Sequence, residues 1–64
     1  MKKIQLALQY VSLMNVINYG KELTREQMSN PNFMKHLQVV ASRYNGIELE
    51  NLITDCRRRI AANC

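Results

Sequence analysis

Hydrophobic residues crowd the start of this chain. Between Ile4 and Gly20 there is no Lys, Arg, Asp or Glu, and only Gln5, Gln9, Ser12, Asn15 and Asn18 interrupt the apolar run. Leu6, Tyr10, Leu13 and Ile17 recur at a 4-3-4 spacing that sets them on one line of an α-helix. Ala7, Val11 and Met14 form a second line beside it. The predicted helix spans about residues 3–19 and stops at Gly20, because glycine takes the left-handed C-terminal conformation without a Cβ clash. At about 100° per residue the two lines cover about half the circumference, and Leu8 and Val16 fall outside that arc. One line can pack on the rest of a short chain. The surplus calls for another molecule.

Downstream the pattern is cleaner. Thr24-Arg25-Glu26-Gln27 fits a capping box and predicts a short helical turn near residues 24–28. Asn30-Pro31 then reads as N-cap and N1 of a second full helix over about residues 31–44. Phe33, Met34, Leu37, Val40, Ala41 and Tyr44 share its apolar face, while Lys35, His36, Gln38, Ser42 and Arg43 point away. Asn45-Gly46 is expected to end it. A third helix over about residues 48–62 carries a narrow stripe of Leu49, Leu52, Ile53, Cys56 and Ile60. Its acids Glu48, Glu50 and Asp55 precede Arg57, Arg58 and Arg59, the charge order that a helix dipole favours. The chain thus reads as all-α: a single domain over residues 1–64, built as a small three-helix bundle.

Length turns the apolar surplus into a requirement. Chains near the present 64 residues barely enclose a core, and they usually add disulfides, a metal or an oligomeric contact. Two cysteines, Cys56 and Cys64, make no disulfide framework, and a single His without a Cys-x-x-Cys pair leaves no zinc site. Association remains, so the bundle is expected to be oligomeric or docked on a partner. The amides that interrupt the first helix argue against a leader peptide and a membrane span, which places the chain in the cytoplasm with free thiols.

Candidate chemistry is sparse. His36 lies on a polar helix face with no acid three or four residues away to orient it, and Cys56 lies on an apolar stripe as a structural thiol would. No glycine-rich phosphate loop exists. The chain reads as a non-enzyme without metal, cofactor or small-molecule substrate. The net charge of +4 keeps acidic partners open.

Leu6, Tyr10, Leu13, Met14 and Ile17 are therefore the candidate protein interface, for a second copy or a larger protein. The function expected is that of a small regulator, inhibitor or adaptor, of the kind that suits a bacterial or phage accessory protein. The alternative is a small dimeric regulator contacting nucleic acid through Lys35, Arg43 and Arg57, Arg58 and Arg59. Against a helix-turn-helix in the last two helices stand Glu48 and Glu50, which would enter among phosphates. Pairing the short 24–28 turn with the second helix presents Asn32, Lys35, His36, Val39 and Arg43 instead.

Overall fold

A charge-free, alanine- and leucine-bearing segment with no internal glycine or proline has every local reason to be helical. The computed structural model describes residues 2–63, with side-chain environments from Lys3 onward, and it begins with such a helix, α1 (Lys2–Tyr19). The free thiol expected at Cys64 lies outside the described residues. Gly20 ends α1 at φ 68°, and its N–H donates to the Val16 carbonyl at 2.8 Å. The Asn15 side-chain amide then donates to the Lys21 carbonyl at 2.6 Å and holds the departing loop against the helix.

The expected short turn is a full, five-residue helix, α2 (Arg25–Ser29), so four helices pack together rather than three. Its capping box is complete: Thr24 Oγ1 accepts from the Gln27 N–H at 3.2 Å, and Gln27 Oε1 accepts from the Thr24 N–H at 2.9 Å. Asn30 joins two helices. Its N–H donates to the Gln27 carbonyl at 3.3 Å, while its Oδ1 accepts from the Asn32 N–H at 2.9 Å and starts α3 (Pro31–Arg43).

Two boundaries differ from expectation. Tyr44 is not helical; it turns extended and caps α3 through its N–H to the Val40 carbonyl at 3.2 Å. Asn45-Gly46 is a start, not a stop. Asn45 Oδ1 accepts from the Glu48 N–H at 2.8 Å and Glu48 Oε1 accepts from the Asn45 N–H at 3.0 Å, which begins α4 (Gly46–Ala62) two residues early. Gly46 stays at negative φ, so the reciprocal Asn–Glu pair outweighs the glycine as a boundary signal.

Among the described residues, α1 is the element on which both α3 and α4 pack, whereas α3 and α4 make no close approach to each other. The meeting point is Ala7, fully buried and small enough to admit both neighbours. Leu37, Val40 and Ala41 of α3 and Leu49 of α4 close around it. Leu8, placed outside the apolar arc by the helical wheel, also packs against this cluster. Met34 does the reverse: it is half exposed instead of joining the core face of α3. Ile53 and Cys56 continue the buried stripe of α4.

The Cys56 thiol lies 3.7 Å from Met14 Sδ, one helix stretch beyond the Ala7–Leu49 meeting. Moving forward on α1 thus moves forward on α4, and the two helices run parallel. The Cα extents of 33 × 28 × 15 Å describe a slab. Its thin dimension is about two helix layers, given axes about 8–10 Å apart and a Cα radius of about 2.3 Å.

Leu49→Ala should lower the unfolding free energy by about 2–5 kcal/mol, because it opens a cavity beside Ala7 at a site with no solvent access. Asn45→Ala should cost about 0.5–2 kcal/mol through loss of the cap. Urea denaturation followed by circular dichroism reads both, and a near-zero change in Leu49→Ala would contradict the packing described.

Candidate protein-interaction site

The C-terminal half of α1 is neither core nor surface. Every residue from Tyr10 to Ile17 is partly exposed, and none is fully buried. Within this stretch the five candidate interface residues divide into two groups. Tyr10 and Met14 turn inward. The Tyr10 ring meets Tyr44 edge-on at 6.2 Å between centroids, and Met14 meets Cys56. Leu6, Leu13 and Ile17 lie on one line of the helix, each half-buried, with no charged residue of α1 beside them, and Leu6 also packs against the core cluster. Leu6 flanks a shallow hollow shared with Ile53 and Arg57, and Leu13 flanks another shared with Leu23 and Met28 of the loop and α2.

A second open face lies between α1 and α3. There a groove of about 360 Å³ is floored by Tyr10, Val11, Met14 and Val40. Asn18 and Tyr19 rim it on the α1 side, and His36, Val39 and Arg43 on the α3 side. Tyr19 is 74% exposed and Val39 55% exposed, so the rim offers apolar area that nothing among the described residues covers. The helical pattern hides Tyr19, because it sits at the end of α1 and off both apolar lines. Val39 is legible as a lone apolar residue on the polar side of α3.

The candidate basic contacts do not form one patch. Lys35 and Arg43 share a shallow trough with Val39 on the outer surface of α3. Arg57, Arg58 and Arg59 are exposed on α4 and point to different sides. Arg57 stands beside Leu6 and Gln9, whereas the Arg59 charge acts on Tyr10 and Cys56. Because α1 and α4 run parallel, the arginines lie toward the far end of α1 from Lys3, and the two basic groups do not merge.

Charge divides cleanly between elements. The acids Glu22 and Glu26 are balanced by Lys21 and Arg25 in the loop and α2, and Glu48, Glu50 and Asp55 by the three arginines of α4. What remains is Lys2 and Lys3 on α1 with Lys35 and Arg43 on α3, so the whole net charge of +4 sits on two helices that hold no acid. Among the described residues no three His, Cys, Asp or Glu side chains gather as a metal ion would need. No helix among them is long and apolar enough to cross a membrane.

Two acidic protons are held more tightly by the fold. Burial pushes the Cys56 thiol up, opposed by the Arg59 charge and aided by Asp55. Burial likewise raises the Tyr10 phenol, with Tyr44 and Cys56 adding to the rise and Arg59 opposing it. Comparison with protein-family models, curated proteins and solved structures finds no match for this chain.

The folded chain thus keeps both protons to higher pH than the unfolded chain does. Their stabilising contribution is complete below the unfolded values, about 8.5 for a thiol and about 10 for a phenol, and is lost as pH rises through the folded ones. Melting temperature should fall on going from about pH 8 to about pH 10.5, and the early part of that fall should vanish in Cys56→Ala. An unchanged pH profile in the variant would show that the thiol contributes nothing.

Proposed function

We propose that this chain is a small non-enzymatic regulator or adaptor that acts by protein association through α1. The carrying observation is an excess of surface. A folded monomer of 7.5 kDa is expected to expose about 4,250 Å². This chain exposes 5070 Å². The surplus of about 800 Å² is what one partner contributes to a standard protein–protein interface. On α1 each residue from Tyr10 to Ile17 keeps part of its surface open, and Tyr19 beyond them is 74% exposed.

The half-exposed line of Leu6, Leu13 and Ile17 suits a second copy. Its neighbours on α1 are Gln5, Gln9 and Ser12, which cost less to desolvate than charges; charges reach the line only from other elements, Glu50 and Arg57 beside Leu6 and Glu22 beside Leu13. A cytoplasmic setting belongs to the same reading.

Sedimentation equilibrium is the direct test. The mass should rise above 7.5 kDa as concentration is raised through the micromolar range. Leu13→Asp should hold it at the monomer value while circular dichroism retains the helical signal. A wild-type chain that stays monomeric up to about 1 mM, the weakest end of useful affinity, would overturn the proposal.

A further inference from the structure

The groove between α1 and α3 has a different character from the Leu6–Leu13–Ile17 line, and the geometry points to a different occupant: an acidic amphipathic helix of another protein. The inference rests on the association reading only in that α1 supplies one wall. Three observations carry it. The groove floor is apolar and aromatic, while its rim keeps Tyr19 and Val39 open to solvent. Its charged and titratable rim groups are Arg43 and His36, and Lys35 continues the same side in the adjoining trough. Neither helix that forms the walls contains an acid: the α1 wall, Tyr10 to Tyr19, is uncharged, and the cations beside the groove are Lys35 and Arg43 of α3.

Apolar floor and cationic rim are complementary to a helix with leucine-like anchors on one face and carboxylates along the flank that meets α3. With no strand among the described residues there is no sheet edge to extend, so a groove between two helices takes a helix. A second copy fits poorly here. A symmetric pairing through this face would bring two cationic rims together with no acid on either wall to offset them. On the loop side, Glu22 lines the neighbouring hollow with Lys21, beyond Asn15 and Tyr19, so the partner's carboxylates belong on the α3 side.

The test uses two fluorescently labelled synthetic helices of about 18 residues, long enough to populate helix. Both carry leucines at i, i+3, i+4 and i+7; one has glutamates and the other lysines on the flanks. Anisotropy titrations should show the glutamate peptide binding about tenfold tighter than the lysine peptide, the sum of a few exposed ion pairs. That preference should shrink as salt is raised. Arg43→Glu should reverse the preference, and Val39→Asp should weaken both peptides; both sites are exposed, so the fold survives either change.

Equal binding of the two peptides at low salt, or no binding of the glutamate peptide at about 1 mM, would overturn the inference. So would a DNA duplex that displaces the glutamate peptide at low salt, since the face would then belong to phosphate. Sedimentation separates this from the association reading. Loss of self-association in Val39→Asp would give the groove to a second copy and overturn the acidic partner while leaving association intact. Peptide binding by a strictly monomeric chain would support the groove and remove the self-association reading.

Discussion

Everything in this molecule converges on one small side chain. Ala7 is the point where α3 and α4 both reach α1, and its size decides how near they come. Burial on α1 is complete only there, although the packing continues along the helix to the Tyr10–Tyr44 and Met14–Cys56 contacts. Burial accordingly peaks at Ala7 and Leu49 and fades along α1, leaving the segment from Tyr10 to Ile17 half covered. The thin slab, the surplus surface and the open groove are consequences of the same crossing.

Electrostatics follows the same division. The elements that carry acids balance them internally, whereas α1 and α3 share the positive excess without a counter-charge. Helix α1 contributes apolar area over most of its length, and α3 contributes an amphipathic wall with cations on its outer edge. Two kinds of open surface therefore coexist on one short helix. The proposed self-association draws on the uncharged line, and the proposed acidic helix on the groove.

Much of this was legible before any coordinates. Capping residues located two of the four helix starts, α2 and α3, since Thr24–Gln27 and Asn30–Pro31 carry local hydrogen-bond chemistry that needs no tertiary context. The Asn45-Gly46 pair misled, because glycine was weighed as a terminator while Glu48, three residues on from Asn45, completed an N-terminal box. The apolar surplus of α1 was visible as composition. Which side of α1 is left open was not, for periodicity gives angles around one helix and says nothing of where two others sit. The groove was hidden for the same reason: Tyr19 and Val39 become neighbours only when α1 and α3 pack. The arginine run illustrates the converse, a conspicuous motif that the fold disperses.

The parallel course of α1 and α4 also sets the order of events when the chain is made. The thiol–thioether contact between them joins residues 42 positions apart, a long separation for a helical protein of this length. Local helices form early, yet the contact of Met14 with α4 must await Cys56, 42 positions on. At about 5–20 residues per second, that interval lasts about 2–8 s. Throughout it the most apolar helix of the chain has at most α3 to lean on. The most apolar helix of the chain is thus the last to be sheltered, and until Cys56 reaches Met14 it is more open than the finished fold leaves it.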